Sequence, residues 1–141
     1  MSRRTKAREV VAQMLYLVDL NPDIDHQTVK QMIIEQLKEP ELASFAWDIF
    51  LGTREHRDDL DVRIQDVAAN WKLFRMAPTD RNVLRMGAYE LLQTDTPHRI
   101  VIDEALDVAK KFGNENSSAF CNGILDKLVP PEKRANDKKP E

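Results

Sequence analysis

Apolar residues recur along this chain at intervals of three and four, and no four-residue stretch alternates in the manner of a half-buried strand. The spacing predicts an all-α protein with helices over about 5–20, 27–38, 41–69, 79–94, 98–112 and 117–129. The third of these, if it breaks, breaks near Gly52. The interruptions have chemical causes. Asn21-Pro22, Pro40, Pro78-Thr79, Thr96-Pro97 and Gly113-Asn114 each supply a residue that cannot continue a helix or a side chain that can cap one. Past Val129, two prolines precede a charged run without apolar period, so 131–141 reads as a disordered tail.

In the first helix, Ala7, Val10, Val11, Met14, Leu15, Leu17 and Val18 share one broad face, which predicts core. The opposite side carries Glu9, Ala12 and Tyr16, with Arg8 at its edge. Arg3 and Arg4 would fall near the apolar face if the helix ran back to them. A start at Thr5, an acceptable N-cap, therefore leaves both arginines in a mobile leader. Segment 79–94 is apolar nearly all round and is expected at the centre of the fold, where its interior Gly87 implies close approach of another helix backbone. Arg81 and Arg85 suit ion pairs with Glu90 or Asp80. Segment 98–112 turns Val101, Ile102, Ala105, Val108, Ala109 and Phe112 inward. Its outward side carries Asp103, Glu104, Asp107, Lys110 and Lys111, with Asp107 placed to pair with Lys111. In 117–129 the core stripe is Cys121, Ile124, Leu125 and Leu128, with Phe120 at its margin, and Asn116 or Ser117 can cap the start.

Composition narrows the function more than the fold. The 141 residues are 42% hydrophobic and 32% charged, which suits one soluble domain with a core of its own. The formal charge is −3, but residues 1–8 hold Arg3, Arg4, Lys6 and Arg8 and no acid, a local +4 against −7 over the remaining 133 residues. Any electrostatic case for nucleic acid is therefore local. No apolar run approaches the ~20 residues of a membrane span, and the first residues lack the apolar stretch of a secretory signal, so a cytoplasmic location and no membrane partner are expected. Cys121 is the single cysteine, and His26, His56 and His98 are widely spaced, so neither a disulfide nor a metal site is expected. The carboxylates of 98–112 lie on a wet face with no nucleophile, His or Gly-rich loop beside them, which argues against acid/base catalysis.

A cationic leader, a further Arg on the first turns and an outward Tyr16 make a track on which single-stranded RNA meets charge first and then a ring. Four neutralised phosphates would give a salt slope of roughly −3, and a stacked base would add about 1 to 3 kcal/mol. The plainer reading is a solvated basic tail and a Tyr that meets another part of the protein. On surface positions, replacing all four cations with Ala should leave stability within about 1 kcal/mol.

Taken together, RRTKAREVVAQMLY, MAPTDRNVLRMGAYELL, PHRIVIDEALDVAKKFG and SSAFCNGILDKL closely resemble the NusB family of bacterial transcription antitermination proteins, in the family's order and spacing over roughly half the chain. The resemblance implies a single all-α domain of two packed three-helix bundles, an N-terminal subdomain over about 1–75 and a C-terminal one over about 76–130, with no enzymatic activity and no cofactor. It implies recognition of the boxA element of nascent ribosomal RNA together with NusE, a small-subunit ribosomal protein, and action on RNA polymerase with other Nus factors against premature termination. Carried onto this sequence, the arginine-rich motif is Arg3, Arg4, Lys6 and Arg8, the exposed aromatic is Tyr16, and the aromatic before the Asn-Gly pair is Phe120, expected near the RNA with Asn116. Asp80 and Tyr16 are expected at the protein-partner surface. This sequence departs from the family pattern in Asp103 and Cys121, and in Asn116 and Ala119, where an acid and a base are usual. A competing expectation is a self-associating interaction module, a homodimer that masks the arginine motif.

Overall fold

The computed structural model describes residues 2–137. Its helices are α1 (Arg3–Leu20), α2 (His26–Leu37), α3 (Pro40–Glu55), α4 (Arg57–Val67), α5 (Pro78–Gln93), α6 (His98–Phe112), α7 (Ser117–Leu128) and α8 (Pro131–Asp137), with a 3-10 turn at Leu73–Arg75. No strand occurs among the described residues. Helices α1, α2 and α3 pack on one another, as do α5, α6 and α7; α1 also crosses onto α5 and α6, and α4 onto α5 and α7. The apolar residues of both groups form one continuous core.

The expected long third helix is two helices, and the break falls at His56 rather than Gly52. His56 leaves the helical region at φ −100°, ψ 10° and sets its Nδ1 2.9 Å from the Gly52 carbonyl. Asp58 and Asp59 then favour the positive end of a new helix. Gly52 serves packing instead. A Cβ there would enter the ring of Tyr89, which arrives from α5. Gly87 likewise sits under a neighbour, but under the Leu125 side chain, whose methyls lie 3.0 Å from where a Cβ would be, rather than under a helix backbone.

Helix α1 begins at Arg3, two residues before the expected start, and its first residues are tethered. The Ser2 and Thr5 hydroxyls both donate to Glu104, Arg3 pairs with Glu39, and the Arg4 guanidinium lies 4.3 Å from the centre of the Phe45 ring. Arg3 and Arg4 are therefore part of a helix, not of a mobile leader. Ala7, Val10, Val11, Met14, Leu15 and Val18 are buried as expected, but so are Arg8, Glu9 and Ala12. Contact with α2, α3, α5 and α6 leaves α1 little free surface. On α6, Glu104 is also buried rather than outward, and Lys111 reaches across to Glu9 at 2.8 Å rather than back to Asp107.

The segment after Val129 was expected to be unstructured, yet it forms α8. Lys133 Nζ donates to the carbonyls of Glu90 (3.2 Å) and Thr96 (2.6 Å), and Arg134 pairs with Asp126 at 3.0 Å. A charged run can thus dock by donating to carbonyls at the end of α5 and in the turn after it, which apolar periodicity does not detect. Residues 138–141 of the expected tail lie outside the described residues.

Candidate nucleic-acid interface

Burial of α1 on three sides leaves one narrow outward stripe: Lys6, Gln13, Tyr16 and Leu20 are exposed at helical spacing, while Glu9 between them is covered by Lys111. Arg3 and Arg4 flank its start, both exposed. Tyr16 is 41% exposed and stands about 18 Å along the helix from Arg4, at 1.5 Å per residue. Its ring lines a cavity of about 280 Å³ with Ala12, Gln13, Thr79 and Phe112, so the ends of α1 and α6 and the start of α5 meet around it.

Arg8 does not belong to this surface. It is 2% exposed and makes a two-pronged bond to Glu90, both contacts at 2.8 Å, with Glu104 at 3.4 Å. Burial alone would lower its pKa, but the hydrogen bond and charge of Glu90 and the charge of Glu104 hold it above the ordinary arginine value. Helical geometry had put Arg8 at the margin of the polar side; that side is covered by α5 and α6, and its cation answers their two acids. Arg8 is a structural residue, and the arginine motif that faces solvent is Arg3, Arg4 and Lys6.

The arginines of α5 do form ion pairs, though not with the expected partners. Arg81 grips Asp19 through Nη2 (2.6 Å) and Nε (2.9 Å), with Asn82 donating to the same carboxylate at 2.9 Å. Arg85 takes Asp61 at 2.7 Å and 3.0 Å. The bonds to Asp19 lock the end of α1, next to Tyr16, onto the start of α5, and those to Asp61 tie α4 to the same helix. Asp80 sits there too. It is 8% exposed, and its Oδ1 has no hydrogen-bond partner among the described residues. Its charge, after burial, helps push the Cys121 thiol up to about 12.

Phe120 and Asn116 lie elsewhere, on α7 and at its N-cap. Phe120 is half-buried and meets Trp71 edge-on at 5.3 Å. Asn116 is exposed and makes no side-chain cap; the Ser117 hydroxyl accepts from the Asn114 N–H at 3.0 Å instead. The structure therefore brings Arg3, Arg4 and Lys6 together, sets Tyr16 beside the start of α5, buries the Asp80 expected at a partner surface near Cys121 of α7, and keeps Phe120 away from the Tyr16 cavity. Gln13, not singled out in the sequence, joins the Tyr16 surface, as do Phe112, expected inward, and Lys111, expected to pair with Asp107. Only the packing of α6 against α1 puts the last two there. Among the described residues no helix is long and apolar enough to cross a membrane, and no group of three His, Cys, Asp or Glu side chains is placed to hold a metal ion.

The NusB family model matches residues 5–130, nearly the whole described chain. The chain belongs to the NusB family. A transcription antitermination protein NusB of Anaeromyxobacter dehalogenans is 43% identical over 137 residues, covering 94% of this chain and 96% of that protein. That of Geobacter sulfurreducens is 42% identical over 133 residues, covering 92% and 95%. Among solved structures, T. maritima NusB superposes with a TM-score of 0.81 at 34% identity over 96% of this chain and 98% of that one. A crystal structure of the antitermination factors NusB and NusE in complex with dsRNA matches with a TM-score of 0.80 at 26% identity, over 91% and 96%. The all-α architecture expected from the sequence is that of the NusB fold.

Proposed function

We propose that this chain is a transcription antitermination factor that binds RNA together with NusE. The observation that supports this most is the fit, over 91% of the chain, to a NusB solved with NusE in complex with dsRNA. Arg3, Arg4 and Lys6 meet phosphates, and Tyr16, Asp80 and the cavity between α1, α5 and α6 receive the protein partner. Asn116 and Phe120 meet a further part of the RNA. The RNA is a boxA-type single-stranded element of nascent ribosomal transcripts, and the loaded complex acts in the cytoplasm on RNA polymerase with other Nus factors to suppress premature termination.

The test is a titration of a short boxA RNA with and without NusE at two salt concentrations. The triple variant R3A/R4A/K6A is expected to bind far more weakly and to reduce the salt slope by about 2, at roughly 0.7 per single-strand phosphate contact. Its melting temperature should stay close to the unaltered chain's, because these three side chains are exposed. Unchanged RNA affinity in that variant would overturn the reading of the arginine motif. Size-exclusion chromatography run alongside separates this from the self-association alternative, in which a homodimer would dissociate on adding RNA.

A further inference from the structure

The turn between α4 and α5 holds an aromatic and basic run, Asn70-Trp71-Lys72-Leu73-Phe74-Arg75, of which only Leu73 is buried. Trp71 is 58% exposed and Phe74 73%, the latter the most exposed large apolar side chain among the described residues. Such rings in water would ordinarily sit on a loop free to fold them inward. This loop is fixed. Gln65 donates to the Trp71 carbonyl at 2.7 Å and accepts from the Leu73 N–H at 2.9 Å, while Arg81 donates to the Phe74 carbonyl at 3.3 Å and the Met76 carbonyl at 3.4 Å. The rings are therefore presented outward by an ordered backbone, which lowers the entropic cost of engaging them.

Beside them lies a cavity of about 370 Å³ between the end of α4 and α7, walled by Trp71, Phe120, Gly123 and Lys127. Gly123 stands in the interior of α7, where glycine is less favourable than alanine. Unlike Gly52 and Gly87, it has nothing within 4 Å of where a Cβ would be. No neighbour among the described residues requires it, and the open space above it admits close approach from outside. The residues lining the cavity include one cation, Lys127, and no acid. Lys72 and Arg75 are exposed on the turn itself, with the Arg75 guanidinium 5.6 Å from the Phe74 ring centre. The nearby Asp126 is held by Arg134.

We infer that Trp71, Phe74 and the floor at Gly123 form a second RNA-binding platform, on which unpaired bases of a single strand stack while Lys72, Arg75 and Lys127 meet its phosphates. The inference rests on the RNA-binding function proposed above and extends the RNA contact proposed there at Phe120, which meets Trp71, onto the turn between α4 and α5. Separate rings flanked by cations that form no ion pair among the described residues suit successive bases and their backbone. A protein partner would call for a broad continuous apolar patch.

The test uses the full chain with NusE and a 20-nucleotide single-stranded RNA containing boxA. In a Trp47→Phe background, where Trp71 is the remaining tryptophan, RNA should quench the indole fluorescence. Trp71→Ala combined with Phe74→Ala should weaken binding at least about fivefold, the lower end for one base on one ring, whereas Trp71→Phe should retain most of the affinity. K72A/R75A/K127A should lower the salt slope by about 2. Gly123→Ala should raise the melting temperature yet weaken RNA binding, a combination that a purely structural role for this surface does not produce. Full RNA affinity in W71A/F74A and K72A/R75A/K127A, while R3A/R4A/K6A loses it, would overturn the platform and leave the proposed function standing. Loss of NusE binding with RNA affinity unchanged would assign the surface to a protein. No RNA binding by the unaltered complex would overturn both.

Discussion

The burial of Arg8 makes a sharp prediction against the other members of its motif. Replacing Arg8 with Ala leaves Glu90, 1% exposed, without the cation that donates to both of its oxygens at 2.8 Å. Breaking a buried pair by removing one partner costs about 3–5 kcal/mol. At about 3 °C per kcal/mol for a chain of this size, the melting temperature should fall by roughly 10–15 °C. Glu104 suffers less, because the Thr5 hydroxyl still donates to it at 2.9–3.0 Å and that of Ser2 at 2.9 Å. Arg4→Ala, by contrast, loses an exposed cation–ring contact worth about 0.5–1 kcal/mol. Thermal and urea unfolding at pH 7, followed by circular dichroism, compare the two. The double variant R8M/E90M removes both charges together and should recover most of the loss, since apolar replacement of a whole buried pair is often neutral. Should Arg8→Ala melt within about 1 kcal/mol of the unaltered protein, the reasoning fails and Arg8 returns to the surface motif.

Three further outcomes follow from the same geometry. Burial alone would raise the Asp19 carboxyl, but bonds from Arg81 and Asn82 and the charges of Arg81 and Arg85 hold it below its ordinary 3.8. A depressed folded value contributes stability above the ordinary value and loses it as pH falls through the lower one. Asp19→Asn should therefore cost about 2 kcal/mol at pH 7 and flatten the loss of stability below about pH 4, as acid titration of unfolding will read. With the Cys121 thiol at about 12, about one in ten thousand is thiolate at pH 8, so a thiol reagent should modify it only as fast as the protein opens; fast labelling of the folded chain would contradict its packing. Tyr16→Ala should keep stability within about 1 kcal/mol while weakening assembly with NusE and RNA, and unchanged assembly would remove Tyr16 from the partner surface.

Apolar spacing alone determined the all-α class, most helix positions, the core stripes of α5, α6 and α7, and the outward ring at Tyr16. These depend on a period of 3.6 residues, which is a local property of the chain. Family resemblance placed the candidate residues. Neither could separate Arg8 from Arg3, Arg4 and Lys6, because a helix that packs on several neighbours keeps only a narrow wet stripe whose edges periodicity does not mark, and only α5 and α6 supply the carboxylates that bury an arginine. Gly52 looked like a break because a local rule has no knowledge of Tyr89 arriving from another helix. The charged run after Val129 looked like a tail because the carbonyls that Lys133 caps belong to residues some forty positions away. Trp71 and Phe120 likewise meet only through the fold. Tertiary structure decided which charges are buried, which glycines are crowded and which aromatics face water, since each depends on what other segments bring within a few ångströms.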